Sequence, residues 1–317
     1  MSPKTDNPSL QVNLGSLKLK NPVIAASGTF GYGEEYSGII PLGSLGAIVT
    51  KGLSLEPRKG NSPPRLAETP SGMLNAIGLE NVGLEAFLWE KLPFLRGARC
   101  PVLVNIFGST VEEYGEMARR LSDVEGIAGM EVNISCPNLK AGGVVFASEP
   151  RAVHRVVLKV RRSTSSFVMV KLSPNVADIG KIALAAEEAG ADAVSLINTL
   201  TGLAIDVQTR TPVLGNITGG LSGPAIKPIG LRMVWQVAQV VRIPVVGIGG
   251  IVTAKDALEY LIAGATAIQV GTAHFIDPRA GLKIIDGIQR YLQANNFPDV
   301  ASLVGSLKIK KDTAQPT

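Results

Sequence analysis

Short apolar runs alternate with stretches of helical spacing along almost the whole chain, and that alternation restricts its fold more than any other feature. The runs predict strands at Val23–Ser27, Ala47–Thr50, Val102–Ile106, Gly129–Asn133, Phe167–Leu172, Ala193–Asn198, Val245–Ile248 and Ala267–Val270. Between them the spacing predicts helices near Leu84–Leu92, Val111–Leu121, Pro150–Arg162, Val176–Ala189, Ala225–Val240 and Ala254–Ala263, with a last one over Gly281–Leu292. Thr110 followed by Glu113 has the spacing of a capping box, and Gly190 and Gly264 are stop signals that lead straight into the next strand. Leu10–Leu14 and Leu17–Lys20 flank Gly15-Ser16, a tight-turn signal that predicts an initial hairpin. Repeated βα units exclude an all-helical bundle and a sandwich.

Eight strand candidates favour a closed α/β architecture, a single (β/α)8 barrel of the TIM type, over a doubly wound sheet. Polar residues gather where the strands end: Ser27, Lys51, Asn105, Asn133, Lys171, Asn198, Gly249-Gly250 and Gly271-Thr272. In a barrel these positions converge on one rim although they are far apart in the chain. The long interval Gly52–Pro101 exceeds one helix and is read as an extended rim loop that helps cover a ligand. On this reading residues 1–317 form one domain, with the barrel core over about 21–295 and flexible terminal tails.

Composition removes several classes of function. Two cysteines cannot supply a four-thiolate zinc or iron–sulfur site, and the two histidines, His154 and His274, lack metal-ligand spacing. Aromatic residues make up only 5%, too few for a stacking surface on single-stranded nucleic acid. The net charge of +5 is scattered, so it calls for no polyanionic partner. No apolar run approaches a membrane span, and the first residues are polar and broken by proline, so a soluble cytoplasmic protein is expected.

The chemistry is expected in the stretch Glu131-Val-Asn-Ile-Ser-Cys-Pro-Asn138, which carries a cysteine and two asparagines just beyond an apolar run. A loop-borne thiol beside amides suits proton transfer with a small polar ligand. Cys100, between Arg99 and Pro101, fits an inert packed cysteine better. Gly249-Gly250 and Gly271-Thr272 follow the last two strands, where a barrel places a phosphate; either pair alone could serve only a sharp turn. Lys51 and Lys171 stand at strand ends, where an anionic ligand or an electron-rich ring would rationalise them, or else their ammonium groups reach water. Asn105, Asn133 and Asn198 can both donate to and accept from a flavin or pyrimidine edge. Asn75, within Met73-Leu-Asn-Ala-Ile-Gly-Leu79, adds another amide, although that segment could be only an interrupted apolar loop. The histidines are expected to be surface or packing residues.

At these positions the chain resembles the catalytic subunits of the NAD-dependent class 1B dihydroorotate dehydrogenases, over about residues 9–295. The resemblance rests on Ala26-Ser-Gly28, Thr50-Lys51, Thr69–Leu79, Asn133-Ile-Ser-Cys-Pro-Asn138 and Lys171-Leu-Ser-Pro-Asn175. It continues through Ile197-Asn-Thr199, Gly219–Gly223, Gly247-Ile-Gly-Gly250 and Gly271-Thr272. It implies an FMN-containing barrel that oxidises (S)-dihydroorotate to orotate in pyrimidine biosynthesis. Cys136 would be the catalytic base that removes the C5 proton while hydride passes from C6 to the flavin; a serine there would resemble the quinone-linked membrane class. Lys51, which could also face the flavin, Asn75, Asn133, Asn138, Asn198 and Thr199 match substrate positions. Ala26, Ser27, Gly28, Asn105, Asn133, Lys171, Gly223, Gly249, Gly250, Gly271 and Thr272 match flavin positions. The resemblance further implies a partner subunit carrying FAD and a 2Fe-2S cluster that passes electrons to NAD. Two barrels, each with one such partner, would form a heterotetramer. Competing readings are a dihydropyrimidine dehydrogenase-like flavoprotein acting on neutral pyrimidines, a tRNA-reducing flavoprotein, for which the chain offers too little sequence beyond Leu292, and a non-catalytic phosphate-binding barrel.

Overall fold

The computed structural model describes residues 7–135 and 148–309. The expected hairpin forms first: strands β1 (Val12–Leu14) and β2 (Leu17–Leu19) pair antiparallel around Gly15, whose φ of +57° suits glycine. Barrel strands β3 (Val23–Ala25) and β4 (Ala47–Val49) follow, then an antiparallel pair outside the barrel, β5 (Leu66–Thr69) and β6 (Gly72–Asn75). The barrel resumes with β7 (Val102–Ile106), β8 (Gly129–Asn133), β9 (Phe167–Lys171) and β10 (Ala193–Leu196). Four more short strands intervene: β11 (Leu200–Leu203), β12 (Ile205–Asp206), β13 (Thr211–Pro212) and β14 (Thr218–Ser222). Strands β15 (Val245–Ile248) and β16 (Ala267–Val270) complete the ring.

The ring closes in the order β10-β15-β16-β3-β4-β7-β8-β9, every neighbour parallel. This is the expected (β/α)8 barrel. Its strands are buried on both faces, which is why they read as continuous Val, Ile and Leu runs and not as alternating ones. Helices cover the outside with their apolar stripes, as Val153, Val156, Val157 and Val160 do on Pro150–Ser163.

Several boundaries shift for local reasons. The helix expected from Val176 begins at Ile179, because the Asp178 carboxylate accepts from the Lys181 amide and caps it there. Thr110 caps Val111–Leu121 by accepting from the Glu113 amide. The Glu113 carboxylate accepts from the Ser109 amide, one residue outside the cap, so the reciprocal box expected here does not close. A closed box forms instead at Thr253 and Asp256, ahead of Ala254–Ala263. The helix expected over Leu84–Leu92 is the middle of a helical stretch from Gly83 to Arg96 that includes a π turn at Phe87–Lys91.

The larger difference lies over the mouth. The Gly52–Pro101 insertion contributes β5 and β6, and β6 pairs with β14, which pairs with β11. A four-stranded antiparallel sheet results, β11-β14-β6-β5, with its own small core of Leu74, Ala76 and Leu214. Met73–Leu79 is therefore partly strand, and β11 to β14 had no expectation at all. Their sequences, Leu-Thr-Gly-Leu and Thr-Gly-Gly-Leu-Ser, lack the apolar alternation that announces a strand. Among the described residues no helix is long and apolar enough to cross a membrane.

Candidate active site

A cavity of about 780 Å³ opens between the C-terminal ends of the barrel strands and the rim sheet. Every expected site residue within the described chain lines it; Cys136 and Asn138 lie outside the described residues. Strand parity produces the convergence, since residues two apart on neighbouring parallel strands point the same way.

At the floor stands Glu131, in the middle of β8 and fully buried. Its Oε2 accepts from Asn105 Nδ2 at 2.6 Å and lies 3.7 Å from Lys171 Nζ. Its Oε1 accepts from Ser195 Oγ at 2.9 Å and from Gln269 Nε2 at 2.7 Å. Five strands thus meet on one carboxylate. Lys171, only 5% exposed, also donates to Ser27 Oγ at 3.0 Å. Hydrogen bonds from Asn105, Ser195 and Gln269 saturate the carboxylate, while the ammonium has one, to Ser27, and keeps donors for a ligand in the cavity it lines. The floor therefore presents a fixed cation to whatever sits above it. Sequence reasoning singled out Lys171 and Asn105 but missed Glu131, Ser195 and Gln269. The available signal was a charged residue inside the apolar run Gly-Met-Glu-Val-Asn, at the inward parity of Asn133.

The walls carry the amides. Asn133 Oδ1 accepts from the Ser135 amide at 3.1 Å and lies 3.5 Å from Asn198 Nδ2. Asn198 Oδ1 accepts from the Thr199 amide, and the Thr199 carbonyl accepts from Asn175 Nδ2 at 3.0 Å. Asn175 also accepts from the Thr201 amide, which ties the wall to β11. From above, Asn75 Nδ2 donates to the Gly220 carbonyl within the rim sheet. Lys51 follows β4; its Nζ lies 3.9 Å from Glu80 Oε2, a carboxylate that Arg65 holds at 2.8 Å. That long contact leaves the Lys51 ammonium free to turn toward a ligand. Glu80 and Arg65 were not anticipated.

The late glycine turns differ from each other. Gly249 and Gly250 have φ of +121° and +67°, so the turn itself requires glycine. A Cβ on Gly250 would also stand 2.8 Å from the Lys227 nitrogen and 2.9 Å from the Gly223 carbonyl oxygen. Gly271 is neither crowded nor left-handed, and Thr272 donates to Ser222 Oγ at 2.8 Å. Ala26 and Gly28 complete that side of the cavity.

The remaining candidates fall away from this site. Cys100 is half-buried and burial pushes its thiol up to about 11, so it stays protonated at neutral pH. His274 is buried against Phe30 and Tyr36, and burial pulls it down to about 4. Among the described residues no cluster of three metal-binding side chains occurs.

Comparison with known proteins gives the family. The dihydroorotate dehydrogenase family model matches residues 9–292. The chain belongs to the dihydroorotate dehydrogenase family. It is 60% identical over 302 residues to a Geotalea daltonii protein named dihydroorotate dehydrogenase B (NAD(+)), catalytic subunit, covering 95% of this chain and 99% of that one. Proteins of the same name in Geotalea uraniireducens and Geobacter sulfurreducens are 59% and 58% identical. Each alignment covers 95% of this chain, with 98% and 99% of the relatives.

Proposed function

We propose that this chain oxidises (S)-dihydroorotate to orotate in pyrimidine biosynthesis, as an FMN-binding barrel whose electrons leave for NAD through a partner subunit. The observation that carries the reading is one cavity that joins a buried cation at its floor, amides on its walls and a bare glycine turn at its edge. The donor set suits FMN: Lys171 would meet the electron-rich pyrimidine edge, and the glycine-only Gly249-Gly250 turn would suit a phosphate. Ala26, Ser27, Gly28, Asn105, Asn133, Gly223, Gly249, Gly271 and Thr272 would hold the rest of it. Bound FMN would supply the two-electron acceptor that the reaction requires.

The chain's own groups do the remaining work. Lys51 counters the substrate carboxylate, while Asn75, Asn133, Asn138, Asn198 and Thr199 meet its carbonyl and N–H groups. Cys136 as thiolate takes the proton from C5. Loss of that proton, and of the C6 hydrogen with its electron pair, forms the C5=C6 double bond of orotate. Lys171, paired with Glu131 at the floor, would favour negative charge developing on a flavin bound in the cavity. The rim sheet limits water at the substrate. A carboxylated substrate explains Lys51, which a neutral pyrimidine would not use.

The barrel with its rim sheet acts as one FMN-binding domain. A cytoplasmic complex is the natural setting, in which two catalytic barrels pair and two subunits carrying FAD and a 2Fe-2S cluster accept electrons. Anaerobic dihydroorotate titration of the purified protein tests this. The flavin absorbance should bleach, and NAD should be reduced efficiently only when the partner subunit is present. Failure to bleach bound FMN sinks the enzymatic reading; efficient NAD reduction by the isolated barrel sinks only the partner.

A further inference from the structure

The Gly249-Gly250 turn is held from beneath by a residue outside the cavity lining. Tyr260, on the helix Ala254–Ala263, is fully buried, and its hydroxyl donates to the Gly249 carbonyl at 2.7 Å. Its ring occupies a gap kept open by two glycines: a Cβ on Gly247 in β15 would strike the ring, and one on Gly230 would strike the hydroxyl. Burial pushes the Tyr260 phenol well above its ordinary range, so it remains a donor at any physiological pH.

The Gly249–Gly250 peptide is trans, so its carbonyl and its N–H point in opposite directions. With the carbonyl fixed on Tyr260, the Gly250 N–H faces away from the buried phenol. It has no acceptor among the described residues, and Gly250 lines the cavity. We propose that Tyr260 is a positioning residue that orients the Gly250 N–H toward a phosphate monoester bound at the barrel mouth. This rests on the FMN reading and adds to it a determinant in the outer helix.

The test compares FMN with riboflavin, which has the same rings and no phosphate, on apoprotein of the wild type and of Tyr260→Phe. In the wild type FMN should bind more tightly than riboflavin. Tyr260→Phe should weaken FMN about tenfold and leave riboflavin within about twofold, the size expected for one misaligned hydrogen bond to a charged acceptor. An unchanged FMN affinity overturns the inference, and so does equal weakening of both ligands, since that marks general damage to the barrel. If wild-type apoprotein does not prefer FMN, the phosphate reading fails and the inference with it. Amide NMR of the wild type is independent of how the variant folds. The Gly250 N–H resonance should move downfield with FMN and not with riboflavin, and identical shifts overturn the proposal.

Discussion

Two lysine–glutamate pairs frame the cavity at nearly the same separation, Lys171–Glu131 at 3.7 Å on the floor and Lys51–Glu80 at 3.9 Å on the rim. Their surroundings are opposite. The floor side chains are 7% and 0% exposed, and the carboxylate is saturated by Asn105, Ser195 and Gln269. The rim side chains are 29% and 41% exposed, and Glu80 already has Arg65. Separation alone therefore says little about what either pair does. The floor pair sits where charge is costly to strand, so it can supply a fixed field. The rim pair is screened by water and easily parted, so its lysine is available to a ligand that arrives and leaves.

The largest effect is expected at neither pair. Cys136→Ser should slow flavin reduction by dihydroorotate by about 10²–10⁴-fold, because serine is a poor base in place of a thiolate. Flavin content and orotate binding should hold, since floor and rim are untouched. Rapid mixing at saturating substrate measures this, and an unchanged rate removes Cys136 from the mechanism. Wild-type reduction should also accelerate as pH rises from neutral through the ordinary thiol range, as more of Cys136 becomes thiolate.

Next comes the floor. Lys171→Ala strands the Glu131 carboxylate in the barrel interior, which typically costs about 3–5 kcal/mol when one partner of a buried pair is removed. The melting temperature should fall clearly and FMN retention with it. The double variant Lys171→Met, Glu131→Gln, which removes both charges, should recover most of the melting temperature but not the normal rate of flavin reduction. If Lys171→Ala melts like the wild type, the two pairs are not different in kind.

The rim should show the converse. Lys51→Ala should leave the melting temperature nearly unchanged, because an exposed pair contributes about 0–1 kcal/mol. Orotate affinity should fall by about 1.5–3 kcal/mol, the size of one charge-assisted contact. Calorimetric titration with orotate measures the second quantity, and unchanged binding would place Lys51 outside the carboxylate site.

The comparison also explains what the sequence made legible. The barrel was readable because eight strands buried on both faces leave continuous apolar runs between capped helices. Lys171, Asn105 and Asn133 were readable because strand ends in a barrel converge. Glu131 left a signal, a charge inside an apolar run, but Ser195 and Gln269 left none, since strand length alone does not reveal which interior positions face one another across the ring. The rim sheet was hidden for a different reason. Its β14 pairs with β6, far away in the chain, and Thr-Gly-Gly-Leu-Ser carries no periodicity, so only long-range pairing makes it a strand. Asn175 ends the motif Lys171-Leu-Ser-Pro-Asn175, yet its two bonds to the Thr199–Thr201 backbone depend on that unseen strand.

The effect that is smallest at neutral pH concerns a buried titratable group away from both pairs. His274 packs against Phe30 and Tyr36, and burial lowers its pKa from 6.5 to about 4. Between those values the unfolded chain binds a proton that the folded chain does not. Stability contributed by neutral His274 is therefore complete above about pH 6.5 and declines as pH falls toward 4. The slope is at most about 1.4 kcal/mol per pH unit for one proton. Carboxylates also titrate at the lower end of this range, so the useful quantity is the difference between wild type and His274→Leu in denaturant melts from pH 7 to pH 4.5. The wild type should lose stability more steeply than the variant. Orotate affinity measured at pH 7, set at walls and rim, should be the same in both proteins. Parallel pH slopes would mean that the folded chain accommodates a charged His274. In that case burial beside the barrel would be less restrictive than burial beneath its mouth, and the contrast would sharpen to the Glu131 floor alone.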